Sequence, residues 1–221
     1  MRRQSRKQPV RRKSPKQASD GQPGAAAPTR IRRVRDRIFD TACKLFYEHG
    51  IRAVGVDAIA QAAGTNKMSF YRNFPSKDEL VAQYLRAHAQ EYWRWWDETL
   101  AQHPAEPRRQ IEALFDAYLP HAQEHCSRGC AIANAAVECS EGDSVVSGII
   151  REHQAETRRR LRELARAMRA RDPDVLGDAL MLLIEGGYST RVAAPDEVGP
   201  GCAARSAAHA LLEAHAPKSG G

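Results

Sequence analysis

The stretch that decides the fold is Val56–Lys77, VDAIAQAAGTNKMSFYRNFPSK. It contains two short helical patterns, Val56–Ala63 and Lys67–Asn73, which a glycine-containing break separates. The inward residues of the first pattern are mostly small, so two helices can cross closely, and Gly64 supplies the left-handed backbone that ends the first helix. Asn66 suits the N-cap of the second helix. This arrangement predicts a helix-turn-helix whose second helix enters the major groove of double-stranded DNA.

The second helical pattern has a buried side and exposed sides. Phe70 and Phe74, four residues apart, are predicted to face the core. The other sides carry basic, hydroxyl and amide groups, which suit base edges and phosphates. The predicted DNA-binding residues are Lys67, Met68, Ser69, Tyr71, Arg72, Asn73 and Lys77. A solvated polar helix face is the alternative.

The order of residues in this region resembles the TetR-type (TetR/AcrR) transcriptional regulators. The resemblance is carried by Ile59-Ala60, Ala63-Gly64, Phe70-Tyr71, Phe74, Lys77 and Leu80, with Ala42, Leu45-Phe46 and Gly50 upstream. It covers Arg30 to about Leu80, and in that family the residues aligned with most of the predicted set contact DNA. The family often has Thr where Gly55 stands, and glycine offers no hydroxyl, so we expect no phosphate contact there.

The positive charge of the chain is concentrated at the N-terminus. The formal charge is +7, but residues 1–35 hold twelve Lys/Arg and one acid, for +11, so residues 36–221 sum to −4. Residues 1–28 contain almost no apolar side chains and cannot bury enough surface to order alone. We expect this basic arm to meet DNA. A solubilising tail is the alternative.

Other classes of protein find little support in the sequence. No apolar stretch of signal-peptide length follows the cationic N-terminus, and the longest apolar run, Ala179–Ile184, is too short to span a bilayer. We therefore expect a cytoplasmic protein that contacts no membrane. Because no phosphate loop, nucleophile elbow or zinc-protease motif occurs, we expect neither an enzyme nor a bound cofactor.

Helical spacing, without a strand pattern of useful length, predicts an all-α fold. A long helix follows the capping box Ser76-x-x-Glu79. Pro120 lies within the next helical pattern and is expected to kink or end that helix. We predict a disordered basic tail at 1–28, a three-helix helix-turn-helix domain at 29–75, and a larger helical effector-binding and dimerisation domain at 76–221.

Aromatic residues on the long helix have two interpretations. Tyr92, Trp93 and Trp96 share one face, which favours packing in the core. TetR-type regulators hold a ligand cavity between helices of the second domain, so the resemblance also implies an effector pocket on this face. The polar pair at positions 134 and 138 could contact an effector, or its members could bond to each other. The candidate effector-binding residues are Tyr92, Trp93, Trp96, Tyr118, Asn134 and Glu138.

Two adjacent glycines interrupt a strongly apolar helical pattern. An inward stripe from Val175 to Ile184 precedes Gly186-Gly187, and each glycine costs roughly 1 kcal/mol relative to Ala. In TetR-type regulators the last two helices of each subunit form a four-helix dimer interface, where glycine lets helix axes approach. The alternative is a helix that ends at Glu185. The resemblance implies a homodimer with Leu180, Leu183, Gly186, Gly187 and Leu211 at its interface.

Five cysteines in a cytoplasmic chain of this size do not indicate a disulfide framework. A group close in sequence could form a metal or thiol site: His121, His125, Cys126, Cys130 and Cys139. The spacing of its cysteines is not that of a usual zinc module, and cysteine is a common small buried residue. We therefore assign no metal ligands. A metal- or thiol-responsive regulator of the same fold, using Cys126–Cys139, stays an alternative.

Together these features predict a homodimeric regulator, most simply a repressor. Each subunit would place Lys67–Asn73 in a major groove, so the operator is expected to be a pseudo-palindrome. A small-molecule effector would favour a conformer in which the two recognition helices have the wrong separation. A further alternative is a nucleoid-type protein that binds DNA through its tail with little sequence preference.

Overall fold

The computed structural model describes residues 33–125, 128–139, 144–193 and 203–217. Within these ranges the chain is helical and contains no strand, which confirms the all-α fold. The tail predicted at 1–28 and Cys126 lie outside the described residues. In the same ranges, no helix has the length and apolar character that crossing a bilayer requires. The helices are α1 (Val34–His49), α2 (Val56–Ala62), α3 (Lys67–Asn73), α4 (Lys77–Leu100), α5 (Pro107–His125), α6 (Ala131–Glu138), α7 (Val145–Ala167), α8 (Pro173–Ala193) and α9 (Ala204–Ala214).

Capping residues set the boundaries of the helices around the predicted turn. Gly64 has a φ of +64°, the left-handed conformation expected after α2. The side chain of Asn66 accepts a hydrogen bond from the backbone N–H of Ser69 at 2.9 Å, which caps α3. Ser76 Oγ accepts the N–H of Glu79 at 3.0 Å and caps α4 in the same way. The predicted caps of both helices are confirmed.

A first hydrophobic core joins the helix-turn-helix to helices that follow it. Phe70 and Phe74 are fully buried, as their spacing predicts. Leu80 from α4, Ile132 from α6 and Ile150 from α7 belong to the same cluster. This core therefore continues across residue 75, where the sequence predicts a domain boundary.

A second core holds the remaining helices together. Trp96 from α4 is 1% exposed and packs within a cluster of α5, α7, α8 and α9 residues. The helix α5 continues through Pro120 to His125, so of the two expected effects of this proline the helix end is wrong, and the kink stays a prediction. Proline has no backbone N–H, so one hydrogen bond of α5 is lost at this position. The side chains of α5 near it, such as Tyr118, are still buried in the second core.

Glycines in α8 allow close contacts within the subunit. A Cβ atom at Gly177 would lie 2.8 Å from the backbone N and Cα of Arg162, so α7 and α8 cross at a distance that only glycine permits. Nearby, Asp178 accepts hydrogen bonds from Arg158 and Arg162, and these guanidinium groups hold the pKa of Asp178 below its usual range. The helix continues to Ala193, so the alternative that it ends at Glu185 is wrong.

We expect Gly177→Ala to lower the free energy of unfolding by about 1–3 kcal/mol, because the added methyl overlaps the α7 backbone. Gly148→Ala is the matched control, since no atom lies within 4 Å of its new Cβ inside α7. This control should stabilise the protein by up to about 1 kcal/mol through helix propensity. Urea unfolding, monitored by circular dichroism, measures the free energy of unfolding of both variants. Equal midpoints for the two variants would contradict the close crossing.

Candidate functional site

Helix α3 presents an exposed surface. Met68 and Tyr71 are 68% and 47% exposed, although the same helix has a fully buried face where apolar side chains fit. The other predicted DNA-binding residues are the exposed Lys67 and Arg72 and the partly buried Ser69, Asn73 and Lys77. The structure thus brings the predicted α3 residues onto one short helix, with Lys77 at the first turn of the next.

Local bonds organise this surface. Asn73 Nδ2 donates to the carbonyl of Ser69 at 2.7 Å. Lys67 Nζ lies 3.0 Å from a carboxylate oxygen of Asp57 on α2, and this carboxylate raises the pKa of Lys67. Both side chains of the pair are more than half exposed, so water competes for each charge. The Lys67 ammonium is therefore available to a competing partner.

Helix α1 holds the two helices of the motif in place. Arg37 Nε donates to the carbonyl of Ala63 at the end of α2, at 3.3 Å. The guanidinium of Arg35 lies 4.9 Å from the ring centroid of Phe74 and bonds to Gln83 on α4. Through these contacts α1 fixes α2, the end of α3 and α4 relative to one another.

A cavity of about 110 Å³ lies between helices α4 to α8. Its walls include His88 and Tyr92 from α4, His121 from α5, Cys130 before α6, His153 from α7 and Tyr188 from α8. Desolvation lowers the pKa of His88, although Glu91 opposes that shift. Most of the wall is therefore aromatic and holds little charge.

The predicted effector-binding residues do not all meet at this cavity. Tyr92 lines it, whereas Trp93 lies on a neighbouring groove, with its ring centroid 5.2 Å from that of His153. Trp96 is buried in the second core. Tyr118 is also buried there, and its ring lies 4.9 Å from that of Tyr188, edge to face.

Asn134 and Glu138 lie in a different place, a cleft of about 250 Å³ between α1 and α6. Glu138 accepts the backbone N–H of Arg52 at 2.9 Å. Asn134 Nδ2 donates to the carbonyl of Arg128 at 2.8 Å, and the Arg128 N–H in turn donates to the hydroxyl of Tyr47 at 2.8 Å. These bonds connect α6 to the helix-turn-helix, and each of the two side chains has a partner outside the predicted pair.

His153 is a wall residue that the sequence analysis did not single out. It stands on the buried side of α7 between Ile149 and Thr157, is 6% exposed, and lies 5.0 Å from the Tyr92 ring. Burial lowers its pKa to about 4, so the imidazole is neutral at pH 7. Within the described ranges its Nδ1 has no hydrogen-bond partner. A histidine at an apolar helical position was the signal in the sequence.

The residues predicted at a dimer interface lie on two sides of α8 and on α9. Leu180 is fully buried, and a Cβ at Gly187 would lie 2.5 Å from the hydroxyl of Tyr118, so both positions face their own subunit. Gly186 is exposed with open space around it, while Leu183 and Leu211 are partly buried. Val175, expected to point inward, is 62% exposed, and Leu182 is 73% exposed. Val175, Leu182 and Gly186 share the open side.

Comparison with known proteins agrees with the fold and with the presence of a helix-turn-helix. The profile of the bacterial regulatory proteins of the tetR family matches residues 38–84, from α1 into α4. A crystal structure from Streptomyces avermitilis is 26% identical, with a TM-score of 0.69 over 83% of this chain and 98% of that chain. Residues 38–84 are therefore a TetR-family helix-turn-helix region.

Curated TetR-type relatives match over part of their length. The transcriptional repressor DhaR from Mycobacterium sp. (strain GP1) is 30% identical over 113 residues, 51% of this chain and 56% of that protein. The repressor KstR2 from Rhodococcus jostii (strain RHA1) is 36% identical over 80 residues, 36% of this chain and 39% of that protein. The chain therefore spans about half the length, or less, of these relatives.

The TetR fold extends beyond the matched helix-turn-helix. A TetR-family transcriptional regulator from Streptomyces coelicolor superposes with a TM-score of 0.77 at 23% identity, over 83% of this chain and 96% of that chain. At this identity the likeness shows the fold alone. It covers the larger helical part, where the sequence resemblance rests mainly on size and helical pattern.

Two of the described thiols, those of Cys43 and Cys139, have raised pKa values. Burial raises the pKa of Cys43 to about 12, and burial also raises that of Cys139. In the part of the chain that the structure describes, no three His, Cys, Asp or Glu residues are placed to hold a metal ion. The alternative of a metal or thiol site involving Cys126 stays untested, because that residue lies outside this part.

We expect Cys43 to resist alkylation by iodoacetamide at pH 8, because a pKa of about 12 leaves little of the reactive thiolate. Labelling should accelerate as the pH rises toward that value. Mass spectrometry measures the labelled fraction, and urea-unfolded protein is the control in which Cys43 should react as an ordinary thiol. Equally rapid labelling of folded and unfolded protein at pH 8 would contradict the burial of this thiol.

Proposed function

We propose that this chain is a sequence-specific DNA-binding transcriptional regulator of the TetR family, acting as a homodimeric repressor that a small molecule releases from its operator. The observation that supports DNA binding most directly is the exposed face of α3, where Met68 and Tyr71 project beside two cations. The names of DhaR and KstR2, both transcriptional repressors, favour repression over activation.

The side chains of α3 divide into base-reading and phosphate-binding groups in this proposal. Lys67 donates to guanine O6 and N7, and the apolar parts of Met68 and Tyr71 pack on thymine methyl groups. Asn73 and Lys77 contact phosphates, which fix the position of the helix without reading sequence. In the free protein Asp57 holds Lys67, and on the operator a guanine edge replaces that carboxylate.

We expect Lys67→Ala to relax base preference at one position of each half-site by roughly 1–3 kcal/mol. Lys77→Ala is the matched comparison and should weaken all sequences by a similar factor, since a phosphate contact carries no sequence information. Operators selected from random DNA, and their single-base variants, are titrated by fluorescence anisotropy at fixed salt concentration. If both variants lose affinity equally and for all sequences alike, Lys67 does not recognise a base.

The exposed side of α8 is the proposed dimer interface. Leu182 is 73% exposed, a position where a large apolar side chain gains from burial against a second subunit. One turn further along, Gly186 has no atom within 4 Å of its Cβ position, so a partner helix can approach the backbone. An interface of this kind relates two copies of α3 by a two-fold axis, which suits a pseudo-palindromic operator.

We expect Leu182→Glu to produce monomers and to weaken operator binding strongly, because the change places a charge in the apolar interface. Val145→Glu is the matched control, since Val145 is 59% exposed at the first turn of α7, where an acidic side chain is favourable. Sedimentation velocity measures the oligomeric state of both variants. An unchanged Leu182→Glu dimer would place the interface elsewhere.

Two helices connect the cavity to the DNA-binding surface in the proposed mechanism. Helix α4 carries Tyr92 at the cavity and Lys77 at its first turn. Helix α6 begins at the cavity with Ala131, and its last residue, Glu138, holds the backbone of Arg52 between α1 and α2. A ligand that displaces either helix therefore shifts α3. The ligand cannot shift the equilibrium between the two conformers by more free energy than the difference between its binding free energies for them.

A further inference from the structure

The cavity between α4 and α8 has the size of a small ring compound. Its volume is about 110 Å³. An engineered apolar cavity of roughly 150 Å³ in another protein holds one benzene molecule, so this space suits a compound of similar or slightly smaller size. Tyr92 and Tyr188 stand on its walls, and aromatic rings pack favourably against another ring.

One wall residue, His153, carries a buried ring nitrogen, Nδ1, that lacks a hydrogen-bond partner among the described residues. The rings of Tyr92 and Trp93, with centroids 5.0 and 5.2 Å from that of the imidazole, restrict its movement. A buried polar group in a native protein is normally satisfied, so Nδ1 marks a place for a polar group of a ligand.

The electrostatics of the cavity favour an uncharged ligand. No Lys or Arg lies among the described wall residues, and burial lowers the pKa of His153 to about 4, so an anion finds no counter-charge at pH 7. Glu91 is the carboxylate on the wall, but it is exposed, and water screens its attraction for a cation. Burial raises the pKa of Glu185, a neighbour of Tyr92, which weakens its capacity to serve as a buried anion.

We propose that this cavity binds a small uncharged aromatic compound with one hydroxyl group, whose ring packs on Tyr92 and Tyr188 and whose hydroxyl bonds to Nδ1 of His153. A hydroxyl group both donates and accepts, so it satisfies this nitrogen in either tautomer of the neutral imidazole. The inference names the chemical class of the effector, and it rests on the proposed function only where the compound is said to release DNA.

Phenol is the probe, and toluene is its matched control because it has the same number of heavy atoms without a hydroxyl. Isothermal titration calorimetry on the full chain, without DNA, measures both affinities. We expect phenol to bind about tenfold more tightly than toluene, the effect of one hydrogen bond. Equal affinities would overturn the role of His153. Tighter binding of benzoate or benzylammonium would overturn the preference for an uncharged ligand.

Substitution of His153 tests the proposed hydrogen bond to its Nδ1 atom directly. His153→Leu should remove the preference for phenol over toluene while leaving toluene binding within about twofold, because it removes the polar atom and keeps an apolar wall. His209→Leu, a change at an exposed histidine on α9, should retain the preference. If His153→Leu still prefers phenol over toluene, the ligand hydroxyl does not bond to Nδ1 of His153.

A measurement on the unaltered protein covers the case in which His153→Leu does not fold. In ¹⁵N-histidine-labelled protein, phenol should shift the Nδ1 resonance of His153, whereas toluene should leave it nearly unchanged. A shift that is confined to other histidines overturns the proposal.

A separate titration with operator DNA distinguishes the inference from the proposed function. Saturating phenol should lower operator affinity at least tenfold. Phenol that binds at His153 without weakening DNA binding overturns its role as an effector. Specific DNA binding in the absence of phenol tests the proposed function by itself, so the two can fail independently.

Discussion

The constraint on which the structure depends is that α4 is buried in two cores at once. Its first turns bury Leu80 and Leu85 against the helix-turn-helix, and further along the same helix Trp96 is buried among the helices of the second core. With 24 residues it is about 36 Å long, and the backbone hydrogen bonds of an unbroken helix resist bending. In the proposed mechanism, a displacement beside the cavity at Tyr92 would therefore be carried to Lys77.

A second attachment limits how the helix-turn-helix responds to such a displacement. Glu138 on α6 holds the N–H of Arg52, and Tyr47 on α1 accepts the N–H of Arg128 just before α6. The helix-turn-helix is thus held by α4 on one side and by α6 on another. Unequal displacement of these two helices would rotate α3, and a rotation changes the separation of recognition helices in a dimer.

The sequence predicted the features that short-range chemistry determines. Gly64, Asn66 and Ser76 each act on backbone groups within a few residues, so the ends of α2, α3 and α4 follow from local rules. The burial of Phe70 and Phe74 follows from helical spacing in the same manner. For these reasons the all-α fold and the exposed face of α3 are predictable from the sequence.

Features that depend on packing between distant segments could not be derived in this way. Gly187 was assigned to a partner subunit, but the space beside it is occupied by Tyr118 of the same chain, 69 positions earlier. The sequence left Glu138 either to contact an effector or to bond with Asn134, whereas in the structure it accepts the backbone N–H of Arg52, 86 positions earlier. For His153 the sequence offers only a polar residue at an apolar helical position, because its environment is assembled from α4 and α7.

The small size of the cavity limits the binding free energy that a ligand there could contribute to the proposed switch. Very small ligands gain at most about 1.5 kcal/mol per heavy atom, so seven atoms supply no more than roughly 10 kcal/mol. Moving a two-state equilibrium from 1:99 to 99:1 requires about 5.5 kcal/mol of difference in binding free energy. A compound of this size can meet that requirement only if one conformer loses most of the site. The wall segments contributed by α4 and by the start of α6 are the parts whose displacement would close the cavity.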